Sequence, residues 1–170
     1  MVIEAASALL SDKVKLMIVG KGVEQARLEH AAREHGVADR VIFAGERHDV
    51  SAMLSAMDLF VASSRQETFG LSVLEALANG APVLYTTCPA LDGLDAERAC
   101  RVPSTTAGIR AAMAAEVSVG QRQRIPEPAV EKQYSVEAVT ARIDDLYERL
   151  AQRKVWRTIW RPRTSTGSTR

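Results

Sequence analysis

Short apolar runs alternate with helical periods along most of this chain, and no other feature restricts its fold as strongly. The runs are Lys15-Leu16-Met17-Ile18-Val19, Val41-Ile42-Phe43-Ala44, Leu59-Phe60-Val61-Ala62, Pro82-Val83-Leu84-Tyr85 and Cys100-Arg101-Val102. They are nearly continuous rather than alternating, which is the pattern of strands in a parallel sheet covered on both faces. Between them, residues 23–35 place Val23, Ala26, Leu28, Ala31 and Ala32 on one side, with Gly36 as the stop. Asp49 stands where it can cap a short helix holding Val50, Met53, Leu54 and Met57. Residues 70–79 form another helical pattern, closed by Gly80, with Pro82 opening the next strand. Strands and helices in strict alternation predict an α/β fold with a doubly wound, parallel, Rossmann-like sheet.

After Val102 the pattern changes. Thr105 or Thr106 can cap a helix through Ile109, Met113 and Val117, and the polar stretch from Gly120 to Pro128 reads as a linker. Ser135 then caps a long amphipathic helix through Val139, Ile143, Leu146, Tyr147 and Leu150. The expected division is a domain over residues 1–152 and a basic, Trp-containing tail over 153–170, its last residues low in complexity and disordered.

Composition excludes several classes. The chain has 170 residues, 46% hydrophobic and 25% charged, so it can build a core and is not a disordered sequence. It has no run of roughly 18 apolar residues, the length a membrane span needs. The start, Met1-Val2-Ile3-Glu4, lacks a basic n-region, and two cysteines, Cys88 and Cys100, make no disulfide framework. A cytoplasmic location is expected. The net charge of +1 hides an asymmetry, because Arg153, Lys154, Arg157, Arg161, Arg163 and Arg170 crowd the tail without an acid. Setting these six aside leaves 16 Lys and Arg against 21 Asp and Glu. A body at −5 argues against nucleic acid as a partner.

The segment from Ser63 to Val83 carries the chemistry. It follows a strand and opens a helix, so it lies at the C-terminal edge of the sheet, where open α/β folds bind ligands. Unpaired N–H groups and the positive dipole end near Phe69-Gly70-Leu71 suit an anionic or hydroxyl-rich ligand, and Gly70 removes a Cβ that would keep it away. Glu67 lies in the loop. Glu75 lies within the helix beside Leu71, Leu74, Leu77 and Ala78, company that is costly for a carboxylate unless donors such as vicinal sugar hydroxyls bond to it. On residue pattern alone the ordinary alternative stands beside this: Glu67 a solvated loop residue, Glu75 a helix-edge residue paired with an arginine.

The run Glu67-(seven residues)-Glu75, with Phe69-Gly70 inside it and Asn79-Gly80-Ala81-Pro82-Val83 behind it, closely resembles family-four retaining glycosyltransferases of GT-B fold, in their donor-binding C-terminal domain. The resemblance extends to Val19-Gly20-Lys21-Gly22, similar to the family's glycine turn, and to Asp39 through Gly45, Ala56 through Val61, Tyr134 through Glu137 and Leu146-Tyr147. It covers roughly residues 2–150. It implies that Glu67 binds donor-sugar hydroxyls near the reacting carbon, making it the candidate catalytic residue, and that Glu75 binds the ribose. It further implies that backbone N–H groups at Phe69, Gly70 and Leu71 meet the sugar and diphosphate, that Gly20 and Gly22 line the donor site, and that the loop at Glu46-Arg47 touches the base. The implied partner is a nucleotide-diphosphate sugar; transfer proceeds with retention, with no cofactor and no catalytic metal.

Some positions depart from that family. Ala62 replaces a usual Pro, Thr68 a common Gly, and Thr86 through Gly93 the usual paired-glycine turn. The family's domain begins with a strand ending in Gly-Arg and a Lys-Gly that neutralise the diphosphate, and this sequence starts at the helix that follows. By that resemblance the first, central strand of a 3-2-1-4-5-6 sheet and the N-terminal acceptor domain are missing, and the chain alone is expected not to turn over substrate. The alternative is a non-catalytic remnant, or a subunit of a split enzyme binding a separate acceptor-domain chain. In the tail, Trp156 and Trp160 with Val155, Ile159 and nearby arginines suggest packing on the missing domain, or else peripheral contact with the anionic inner face of a membrane, or a frayed tail. Gly20-x-Gly22 lacks the third glycine and the acidic residue of a dinucleotide fingerprint. His30, His35, His48 and both cysteines have ordinary structural explanations.

Overall fold

The computed structural model describes residues 1–152; what the sequence suggests for the Trp-containing tail lies outside the described residues. The five apolar runs become five short strands: β1 (Leu16–Val19), β2 (Val41–Gly45), β3 (Phe60–Ala62), β4 (Val83–Tyr85) and β5 (Ala99–Arg101). All pairings are parallel, as the continuous apolar runs require. The helices are α1 (Val2–Ala6), α2 (Gln25–Glu34), α3 (Val50–Ser55), α4 (Leu71–Ala78), α5 (Thr106–Val119), α6 (Pro128–Tyr134) and α7 (Val136–Gln152). The chain divides into two units, Met1–Glu131 and Lys132–Arg170.

The sheet of the first unit is in two pieces. β1 pairs only with β2, while β3, β4 and β5 pair in that order, and no ladder joins β1 to β3. The 3-2-1-4-5-6 order expected from the resemblance places a strand at this break. The break also corrects the expectation that the strands are buried. Only β4, flanked on both sides, is largely buried; β1 and β3 are half-buried, and in the outer strands Ile42, Cys100 and Arg101 are exposed. Strands with one unpaired edge lose cover as well as hydrogen bonds.

Helix packing holds the two pieces in one unit. Ala5 and Ala6 of α1 and Ile109 and Met113 of α5 form a buried cluster with Leu84 and Val102, and Leu16, Leu59 and Val61 pack against it from both sheet pieces. A second cluster joins Ile3 of α1 to Ala32, Val37 and Val41. Alanines at two positions of α1 let the helix approach α5 closely. Arg110 fastens the contact, donating from Nη2 to the Glu4 carbonyl (2.9 Å) and from Nε to that of Ala5 (3.3 Å), carbonyls that receive no backbone N–H at the helix end among the described residues. α5 starts as expected, with Thr105 Oγ1 accepting from the Gly108 amide at 3.0 Å. Val23, expected on the apolar side of α2, precedes the helix and is 98% exposed.

The polar stretch before α6 is not a free linker. Glu127 is only 4% exposed. Its carboxylate accepts from the Arg98 amide at 3.1 Å and the Ala129 amide at 3.5 Å, and its own N–H donates to the Leu77 carbonyl at 3.0 Å. Gly80 admits the neighbouring backbone. A Cβ there would lie 2.8 Å from the Ile125 nitrogen, and the Gly80 φ of +81° also disfavours any other residue. In the second unit Ser135 caps α7, accepting from the Ala138 amide at 3.2 Å, and Arg142 donates to the Gln133 carbonyl at 2.7 Å. Among the described residues no helix is long and apolar enough to cross a membrane.

Replacing Glu127 with Ala leaves the half-buried Arg98 amide without its acceptor, so urea unfolding should show a loss of about 1–3 kcal/mol, with Glu127→Gln recovering part of it. An unchanged midpoint for Glu127→Ala would show that the 120–127 segment does not contribute to the fold.

Candidate functional site

The loop from β3 to α4 sits at the C-terminal ends of the parallel strands β3 and β4, and two constraints shape it. Gly70 is the residue before α4 and takes φ +100°, a region that favours glycine. A Cβ at Gly70 would stand 2.4 Å from Cys88 Sγ. Backbone conformation and space therefore both demand glycine at this position. The Gly70 carbonyl accepts from the Val73 and Leu74 amides at 3.0 and 3.2 Å, starting the helix. The N–H groups of Leu71 and Ser72 have no acceptor among the described residues, so they are the orphan donors of the first turn.

A second loop, between β4 and β5, braces the first. Thr86 is buried; its N–H donates to the Ala62 carbonyl at 3.0 Å and its hydroxyl to the Ser64 carbonyl. The Ala90 amide donates to the Phe69 carbonyl at 2.9 Å, and Cys88 Sγ lies 3.5 Å from the same oxygen. Burial pushes the Cys88 thiol up, and the Glu67 and Asp92 carboxylates raise it further. These bracing residues carry no helix or strand pattern of their own; a buried Thr and Cys in a loop only declare themselves through their partners.

Glu67 and Glu75 differ in setting. The Glu67 carboxylate turns back on its own loop, with Oε1 accepting from the Thr68 amide at 2.9 Å and the Phe69 amide at 3.3 Å. Glu75 is exposed, and no hydrogen bond or ion pair reaches its carboxylate among the described residues. The expectation that apolar neighbours make its charge costly does not hold. Leu74 and Leu77 turn into the core, whereas Leu71, Ser72, Glu75 and Ala78 form the solvent stripe of α4. The alternative pairing with an arginine is not seen either. On this stripe Leu71 lies one turn from Glu75 and is 61% exposed, and Phe69 in the loop is 43% exposed. The amino end of α4 thus offers free amides and an unpaired carboxylate, with exposed apolar surface at Phe69 and Leu71.

The remaining candidates occupy the ends of β1 and β2. Gly20 follows β1 with φ +119°, and its N–H donates to the Gly45 carbonyl at 2.8 Å; Gly22 is exposed in the same turn. Arg47 forms a two-pronged pair with Asp49, Nε to Oδ1 at 2.8 Å and Nη2 to Oδ2 at 2.7 Å. The hydrogen bond from Arg47 holds the Asp49 carboxyl below its ordinary range, and Asp49 in turn raises Arg47. Asp49 does precede α3, but its side chain engages Arg47 rather than capping the helix. No group of three or more His, Cys, Asp or Glu among the described residues could hold a metal ion.

The family model for glycosyl transferases group 1 matches residues 1–118. The chain belongs to that family. A stretch of 70 residues is 41% identical to the lipopolysaccharide core biosynthesis mannosyltransferase LpsB of Rhizobium meliloti, covering 41% of this chain and 20% of LpsB. A stretch of 91 residues is 38% identical to the GDP-mannose-dependent alpha-(1-6)-phosphatidylinositol dimannoside mannosyltransferase of Mycobacterium tuberculosis, covering 52% of this chain and 24% of that enzyme. The crystal structure of Anabaena HepE in complex with UDP superposes with a TM-score of 0.71 at 20% identity, over 86% of this chain and 44% of HepE, a likeness of fold. The chain thus spans about a fifth to a quarter of these curated relatives and less than half of the solved one. Its architecture is one Rossmann-like half of a GT-B fold.

Two outcomes check this geometry. Gly70→Ala should lose about 1–3 kcal/mol in urea unfolding, since it adds backbone strain to a clash with Cys88; stability equal to wild type would show that the turn before α4 does not require glycine. With a disulfide reagent at pH 8, the exposed Cys100 should react in the native chain. Cys88 should react only on unfolding, because burial and the raised thiol keep it protonated and covered. Equal rates for both thiols would contradict the packing of Cys88 beneath Gly70.

Proposed function

We propose that this chain is the nucleotide-sugar-binding part of a retaining glycosyltransferase. The observation that carries this is the amino end of α4, where the Leu71 and Ser72 amides stand without acceptors among the described residues, at a glycine that leaves no room for a Cβ, with Glu67 before them and Glu75 one turn on. Free N–H groups at a helix start bind phosphate oxygens, and carboxylates accept from hydroxyls. In this reading the diphosphate meets the amides of Gly70, Leu71 and Ser72, and Glu75 accepts from the ribose hydroxyls. The donor sugar stacks its apolar face near Phe69 and gives its hydroxyls to Glu67, which exchanges its present bonds to the Thr68 and Phe69 amides for them. The turn at Gly20 and Gly22 and the backbone beside Arg47 complete the donor side. Arg47 is itself occupied by Asp49, which leaves that loop's backbone to touch the base. Relatives named for GDP-mannose, and a structural neighbour solved with UDP, support a nucleoside-diphosphate sugar as the donor class.

Binding and turnover separate in this proposal. The chain covers less than half of the solved relative and its sheet is open between β1 and β3, so these residues alone bind nucleotide without transferring sugar. The acceptor side belongs to further sequence, in the same polypeptide or another. Calorimetric titration of the 170-residue chain with UDP and GDP provides the check. Loss of one charge-assisted bond in Glu75→Gln should weaken nucleotide binding by about ten- to a hundredfold. Glu67→Gln should leave free nucleotide binding near wild type and weaken only the nucleotide sugar. Equal loss of UDP binding in both variants, or transfer from a UDP- or GDP-sugar by the unaccompanied chain, would contradict the assignment.

A further inference from the structure

The carboxyl ends of α3 and α4 converge on one guanidinium. Arg124 donates from Nη1 to the Met57 carbonyl (2.7 Å), from Nη2 to the Leu54 carbonyl (3.0 Å) and from Nε to the Asn79 carbonyl (3.3 Å), and Nη2 also reaches Asn79 Oδ1. Leu54 lies in the last turn of α3 with Met57 just beyond it, and Asn79 is the C-cap of α4. A cation at two helix ends meets the Met57 and Asn79 carbonyls, which receive no backbone N–H among the described residues, and the negative end of each dipole. Asn79 extends the tie, with Nδ2 donating to the Ser51 carbonyl (3.4 Å) and Ser51 Oγ (3.3 Å), while Ser55 Oγ donates to Asn79 Oδ1 (3.3 Å). The approach depends on Gly80, where a Cβ would lie 3.1 Å from the Arg124 carbonyl carbon.

The amino ends of the same two helices carry the two loops of the candidate site. α3 follows directly on the Arg47–Asp49 pair, and α4 begins at Gly70. At 1.5 Å per residue the helices are only about 9 and 12 Å long, so a displacement at one end reaches the other. We propose that Arg124, with Asn79, is a positioning residue of the donor site: by locking α3 to α4 it sets the spacing between the Arg47–Asp49 loop and the amides at the start of α4. Arg124 touches no ligand in this scheme. The inference rests on the donor-site reading above for its consequence in binding, but not for the coupling between helix ends.

Hydrogen exchange and UDP titration on the 170-residue chain separate the two. The amides that report the amino ends are Met53, bonded to the Asp49 carbonyl, and Val73 and Leu74, bonded to that of Gly70. Breaking charged hydrogen bonds in Arg124→Ala should speed exchange at all three about tenfold or more, leave Val83 and Val102 unchanged, and weaken UDP binding by a similar factor. Arg124→Lys, which keeps the charge but not the fork, should fall between, and Asn79→Ala should move the same amides. Should Arg124→Ala not fold, those two variants decide. Exchange changes confined to the carboxyl-end amides Ala56, Asn79 and Gly80, or unchanged UDP affinity in a folded variant, would overturn the proposal. If the wild-type chain binds neither UDP nor GDP, the donor-site reading fails, and the exchange at Met53, Val73 and Leu74 still decides the coupling.

Discussion

The close approach of Gly70 to Cys88 governs the carboxyl edge of this sheet. Because the thiol occupies the space a side chain would take, the β3–α4 loop and the β4–β5 loop have one relative position, which Thr86 and Ala90 then fasten with hydrogen bonds. The position of Gly70 fixes the start of α4, and with it two amides that have no partner among the described residues. Those amides are an unmet demand of the helix. The fold meets the corresponding demand at the other end of α4 with Arg124 and Asn79, and meets that of α1 with Arg110. A helix satisfied at its carboxyl end by a buttressing arginine, and left unsatisfied at the amino end where a ligand can arrive, has the asymmetry an anion-binding helix needs.

Where the sequence could be read and where it could not follows the range of the interactions. The five strands, α2, α4, α5 with its Thr105 cap and α7 with its Ser135 cap all depend on local signals: apolar runs, period, stop glycines and cap residues. The break between β1 and β3 could be anticipated from the family's strand order. What escaped depends on partners distant in sequence. Arg124 and Glu127 sit in a run of Gln, Arg and Pro that has the composition of a solvated linker, yet they bond to residues 29 to 70 positions away. α6 has Pro128 at its first position, a start signal masked by the polar residues before it. Asp49 is a sound N-cap by type, and loses that role to a stronger bond with Arg47.

Glu75 shows how the structure can replace the reason for naming a candidate. Its apolar neighbours along α4 suggest a buried charge in need of donors, but they divide between two faces, and the carboxylate shares the solvent stripe with Leu71. An exposed, unpaired carboxylate has no desolvation cost to offset, so its case rests on place instead: one turn from the free amides, on the same face. The open sheet is a similar case. Two parallel pieces with no ladder between them among the described residues make a marginal scaffold, and α1 and α5 bridge them through a shared apolar cluster that includes Ala5 and Ala6.

The central claim is that the free amides at the start of α4 receive the diphosphate of a nucleotide. A proton–nitrogen correlation spectrum of the labelled chain, titrated with UDP, tests this at single residues. The Leu71 and Ser72 amide resonances should move furthest and downfield, as N–H groups do on bonding to phosphate, with Gly70 next. Saturable UDP binding that leaves Leu71 and Ser72 in place while shifting amides elsewhere would contradict it.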